Sequence, residues 1–296
     1  MQFYKIGLIA ALAVLLSALP VRAQVFSSGN CLTGISQDDL SGFQPLPEGD
    51  IFCTMLADPK AKRSFASVVS GRAEDFPSMI GAVGIGDGFG VFRWGIVQLG
   101  LSGSVFSQFD LGAPSYDLIN ADYIVGIPLT LRYRGFSGRL RAYHQSSHLG
   151  DEFLLRDQVE RENLSFESIE LILSQELGPL RMYGGAEHLI SPSPSDLASS
   201  VLHGGAELLP GAPLLQVGNL GSARFIAAGD VKVIEEQDWE TGVSVRAGLE
   251  VSRPEAPASP ISRWQVMFEY YNGPTPYGQF FRRELSYWGF GLHFTR

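Results

Sequence analysis

The sequence predicts an all-β protein, a transmembrane antiparallel β-barrel of about twelve strands with a short N-terminal extension. Three observations predict it. The chain opens with an export signal. From about Phe65 onward, apolar and polar residues alternate with a period of two. Aromatic residues gather at the ends of the alternating segments.

Residues 1–23 read as the signal peptide. Lys5 supplies a positive start, and Ile6 to Leu19 is an apolar run too short to span a bilayer as a helix. Val21-Arg22-Ala23 places small residues at the −3 and −1 positions, so cleavage is expected after Ala23. No other stretch has the ~18 apolar residues of a transmembrane helix. The mature chain is therefore exported and soluble, or it crosses a membrane as strands. Its formal charge of −9 becomes more negative once Lys5 and Arg22 are removed. An acidic chain without basic clusters is a poor nucleic-acid binder.

Residues 24–62 are rich in Gly, Pro, Ser and Asp and show no sustained period, as an extension would. The chain's two cysteines, Cys31 and Cys53, lie here. In an exported protein such a pair reads as one disulfide. A redox or metal pair does not fit the spacing.

Residues 63–296 form the expected barrel. Tyr123, Val125, Ile127, Leu129, Leu131 and Tyr133 alternate with Thr130, Arg132 and Arg134. Phe136, Leu140 and Ala142 alternate with Ser137, Arg139, Arg141 and Tyr143. The same pattern recurs at Ile169–Leu173, Leu180–Glu187, Val243–Glu250, Trp264–Tyr270 and Trp288–Phe294. A soluble β-sandwich also has one apolar face per strand. Charged residues at strand centres and aromatics at strand ends, as at Tyr123 and Tyr133, favour the membrane barrel. Short turns at Arg134-Gly135 and Gly178-Pro179 mark a periplasmic end, and the long connection from Gln145 to Leu164 an extracellular one.

The polar phase assigns Arg132, Arg134, Arg139, Arg141, Arg181 and Arg246 to the lumen with Glu170, Glu187, Glu207 and Glu269. Opposite charges at this density predict a plugged, hydrogen-bonded interior, with a charge-selective channel as the alternative. The repeated GGAE at Gly184–Glu187 and Gly204–Glu207 leaves room for bulky neighbours.

The segment Tyr143–Phe153, YHQSSHLGDEF, carries the candidate chemistry. On a strand, His144, Ser146 and His148 share one face and Tyr143, Gln145 and Ser147 the other. Phase places the His144 face outward, at the outer rim. A serine becomes a nucleophile when a base lies within hydrogen-bond reach and a third group orients that base. His144 and Ser146 are the candidate pair, and Asn163, Ser165 and Glu167 are the candidate third members. His148, Asp151 and Glu152 offer ligands for a divalent ion, and the carboxylates favour Ca2+. A zinc pair at His144 and His148 would need a helix. The competing reading is a polar rim cluster, including Tyr143, that anchors the long loop.

The outward His-x-Ser resembles the catalytic pair of outer-membrane phospholipase A, a twelve-stranded barrel. That resemblance implies His144 as general base and Ser146 as nucleophile, with an asparagine as orienter and calcium as cofactor. The expected Asn-Gly after the serine is replaced here by Ser147-His148. Over the whole chain, FSQFDL, DLINADYIVGIPL, RLRAYHQSSHLGDEFLL, NLSFESIEL, LRMYGGAEHL and GFGLHF resemble the bacterial family called domain of unknown function 1207. Membership implies an exported envelope protein. The expected location is the outer membrane. The expected partners are its lipid and, during biogenesis, the barrel assembly machinery. Three functions stay open: a structural or binding barrel, a lipid-directed serine hydrolase, and a pore or transporter.

Overall fold

The computed structural model describes residues 42–47, 49–73, 76–157, 164–218, 221–252 and 263–295. The signal peptide and Cys31 and Asn163 lie outside the described residues.

Twelve long strands close into one antiparallel barrel. They are β2 (Ser64–Arg72), β3 (Met79–Trp94), β4 (Val97–Asp110), β5 (Leu118–Tyr133), β6 (Phe136–Leu149) and β7 (Ser165–Leu177). After them come β8 (Leu180–Ser193), β9 (Ser200–Leu208), β11 (Ser222–Ile234), β12 (Glu240–Ser252), β13 (Arg263–Pro274) and β14 (Glu284–Thr295). Each pairs with its neighbours in chain order. The seam closes where β14 pairs with β2, from Phe294 opposite Ser64 to Ser286 opposite Arg72. Closure leaves no barrel edge, as a spanning sheet requires. Two short strands lie outside the ring: β1 (Phe43–Pro45) on β3 and β10 (Leu215–Gln216) on β11. A short helix, α1 (Asp151–Asp157), follows β6.

The outward phase is an apolar band. Val125, Ile127 and Leu129 on β5 and Ile169, Leu171 and Leu173 on β7 are exposed in alternation with buried neighbours. Trp94, Tyr133 and Trp264 ring one end, and Tyr123, Tyr270 and Trp288 lie toward the other. Ten residues separate Tyr123 from Tyr133. At a rise of about 3.3 Å and a tilt of about 40°, that spans roughly 25 Å, the height of an outer-membrane apolar band. The end with two-residue turns at Gly95-Ile96, Arg134-Gly135 and Gly178-Pro179 is the periplasmic end by the same rule.

The inward phase holds the charges. Arg139 donates from Nε and Nη2 to Glu170 Oε1 at 3.0 and 2.7 Å, and Arg141 Nη2 to Oε2 at 3.0 Å. Arg246 meets Glu269 across β12 and β13 at 3.2 Å. Glu187 faces inward too, accepting from the hydroxyls of Tyr143 and Ser168. Arg134 departs from the expectation. It sits in the β5–β6 turn with φ 54°, exposed, its guanidinium 5.3 Å from the Tyr133 ring. The left-handed turn breaks the alternation that had placed it in the lumen.

The extension does not stay outside the barrel. Ile51, Phe52, Cys53, Met55 and Ala57 are buried inside it. Arg181 Nη2 donates to Cys53 O at 2.9 Å, the Leu56 amide donates to Glu207 Oε1 at 2.6 Å, and Arg246 Nη1 donates to Leu56 O at 2.8 Å. Farther along, Lys232 reaches Asp58 at 2.8 Å and Lys60 reaches Asp122. The segment thus rises from the periplasmic end, turns near Pro59 and returns through Arg63 to β2. Its carbonyls and amides are satisfied by the same lumenal charges that the alternation predicts.

Candidate functional site

The outer rim of β6 and β7 is built by register. β6 and β7 pair so that His144 faces Glu167 and Ser146 faces Ser165. On the other side β5 sets Val125 beside His144 and Tyr123 beside Ser146. Ser146 therefore sits at the outer aromatic level and His144 one pair below it. Gly150 lets the chain leave β6: a Cβ there would lie 1.8 Å from Leu118 O, so only glycine permits the turn into α1.

His144 Nδ1 lies 3.0 Å from Glu167 Oε1, and both side chains are about half exposed on the outward face. Glu167 is thus the third group seen beside this histidine; Asn163 lies outside the described residues. With Nδ1 held by the carboxylate, Nε2 is the free base position. Ser146 lies on the same face two residues along, at roughly 6–7 Å between Cα atoms. No hydrogen bond links Ser146 to His144 among the described residues. The carboxylate fixes the ring of His144, and the Ser146 hydroxyl is left without a bond to it.

The remaining motif residues separate. Tyr143 points into the lumen, its ring 4.3 Å from the Arg141 guanidinium and its hydroxyl on Glu187. His148 is outward, edge-on to Tyr123 at 5.7 Å. Asp151 and Glu152 are exposed in the first turn of α1. The ligand atoms of His148, Asp151 and Glu152 are not gathered into one set. Among the described residues, the three groups that do come within 4.8 Å of one another are Asp58, His203 and Asp230, all buried in the lumen.

That lumenal group escaped the sequence reading. His203 Nε2 and the Tyr183 hydroxyl both lie 2.6 Å from Asp230 Oδ2. Burial pushes the Asp58 carboxyl up, but the charges of Lys232 and then His203 outweigh it and hold it well below the usual carboxylate range. The Asp230–Lys232 pair, two apart in a strand, carried the only available signal. Above this group is a cavity of about 160 Å³ in the outer half of the lumen.

No curated protein matches this sequence. Among solved structures, the outer membrane phospholipase A of Escherichia coli is similar in fold. Its TM-score is 0.56 at 11% identity, covering 79% of this chain and 90% of that one. The calcium-bound outer membrane phospholipase dimer of Salmonella typhi gives 0.57 at 11%, covering 80% and 93%. At these identities the likeness concerns the fold, an outer-membrane barrel. A family model described as "Protein of unknown function (DUF1207)" matches residues 26–295, and the chain belongs to that family.

Proposed function

We propose that the outward face of β6 and β7 hydrolyses an acyl ester of an outer-leaflet lipid, with Ser146 as nucleophile, His144 as base and Glu167 as the group that orients the base. The observation that carries this reading is the 3.0 Å contact between His144 Nδ1 and Glu167 beside a same-face serine at the aromatic level. Such aromatics sit at the headgroup boundary, the depth of lipid ester bonds. His144 Nε2 takes the Ser146 proton as Oγ attacks the ester carbonyl. The ester's alkoxy oxygen leaves with that proton, and water then releases the acyl group from Ser146. The fold is similar to that of two outer membrane phospholipases.

The same reading keeps the chain in the outer membrane, exported by cleavage after Ala23 and inserted by the barrel assembly machinery. Membrane lipid is its partner, and Cys31 and Cys53 form a bridge. Calcium enters the test as an added ion. Refolded protein is assayed for fatty-acid release from phospholipid and from lipopolysaccharide, with and without Ca2+. Ser146→Ala should fall to background with heat-modifiable gel migration intact, and Glu167→Gln should lose about 10²–10⁴-fold. Background activity of the wild type on both lipids, or an active Ser146→Ala, refutes the mechanism. A structural or binding role would then remain.

A further inference from the structure

The lumen changes character with height. Its periplasmic half is lined by ion pairs. Its outer half holds an apolar cluster that includes Ile124, Leu164, Phe166, Leu189, Leu197 and Val201. Inward apolar side chains are unexpected in a water-filled channel, where the interior face is polar. They surround the cavity of about 160 Å³, which is partly open. A cavity of about 150 Å³ walled by Leu, Ile and Phe holds a six-carbon ring. The chamber therefore takes a short hydrocarbon stretch, with the rest of a chain leaving through its mouth.

The floor of the chamber is polar and cationic donors converge on it. Lys60, Arg141 and Lys232 line the cavity. Each lysine ammonium meets a carboxylate, Asp122 for Lys60 and Asp58 for Lys232, and carries three hydrogens to donate. Arg141 Nε is buried and makes no hydrogen bond, a donor whose desolvation nothing offsets. Two carboxylates, Glu187 and Asp230, also line the cavity, but both already accept from hydroxyls or His203. The chamber thus sets the cationic side chains of Lys60, Arg141 and Lys232 beneath apolar walls, which suits an acceptor on an apolar body.

We propose that this chamber binds a medium- or long-chain carboxylate. Its head would lie on Arg141, Lys60 and Lys232, and its first six or so methylenes would lie between Ile124, Phe166 and Val201. The ligand contact is independent of the rim chemistry, because β6 sends Arg141 inward and His144 outward. Loss of lipid hydrolysis and loss of carboxylate binding are therefore separable outcomes.

The test is calorimetric titration of sodium decanoate into the protein in lipid nanodiscs, with decyltrimethylammonium and decanol as matched probes. Decanoate should bind at one site, decanol more weakly and the ammonium not at all. Arg141→Gln should weaken decanoate by about 10–100-fold, the worth of a charged hydrogen bond. Val201→Trp, which fills the chamber and leaves the floor charges in place, should abolish binding. Ser146→Ala should bind like wild type. If Arg141→Gln does not fold, Val201→Trp decides. Undiminished decanoate binding by a folded Val201→Trp, equal binding of the ammonium probe, or no decanoate binding by wild type overturns the proposal.

Discussion

Replacing Arg181 with Met tests how the inserted segment is held. Arg181 is fully buried. Its Nε donates to Ser174 Oγ at 2.8 Å, Nη1 to Glu207 Oε2 at 3.0 Å and Nη2 to Cys53 O at 2.9 Å, with the Phe52 ring 5.2 Å from the guanidinium. Glu207 is 1% exposed, and its other partner is the Leu56 amide. Methionine leaves that carboxylate without its ion-pair partner, which costs about 3–5 kcal/mol. At a urea slope of about 3 kcal/mol per molar, the unfolding midpoint falls by about 1–1.7 M. Adding Glu207→Leu removes the stranded charge and should recover more than half of the loss, because replacing both partners by apolar groups is far cheaper than removing one. The assay is urea unfolding from lipid vesicles, read by gel migration and tryptophan emission. A single variant with an unchanged midpoint, or a double variant as weak as the sum of the singles, refutes the argument.

Arg141→Leu should cost less, about 1–3 kcal/mol, because Glu170 keeps both bonds from Arg139; the same unfolding series measures it. The inserted segment should loosen in acid. A carboxyl held below its unfolded value stabilises fully above about pH 4 and progressively less as pH falls toward the lowered value, so amide exchange over residues 50–62, corrected for intrinsic rate, should rise at about pH 3. Asp58→Asn should flatten that rise; a wild-type profile flat between pH 7 and 3 contradicts the assignment. In the oxidised protein, thiol reagents should label neither cysteine, and labelling of both would refute the bridge.

Strand phase was legible because a period of two needs no knowledge of partners. It placed Arg139, Arg141, Arg181, Glu170 and Glu187 inside and His144 outside. It could not find the partner of His144. That pairing depends on the β6–β7 register, and a connection as long as residues 150–164 fixes no register from sequence. Glu167 shared the right phase with Ser165, and the paired strands decided between them. The insertion of residues 49–63 was illegible for a related reason. Leu56 and Glu207 are 151 positions apart, Asp58 and Lys232 174, and no local pattern reports contacts of that reach. The apolar chamber was hidden in plain alternation, since Leu189 and Phe166 read simply as barrel residues whose face is settled only by closure.

The inserted segment also orders events in time. It is translated before every strand that receives it, yet its receptors lie on β8, β9, β11 and β12, and the seam beside it joins β2 to the last strand. It cannot seat until those receptors stand around it. Loops of that length close slowly. Residues 49–63 are therefore among the last of the described residues to complete their contacts, and their seating is tied to closure of the ring.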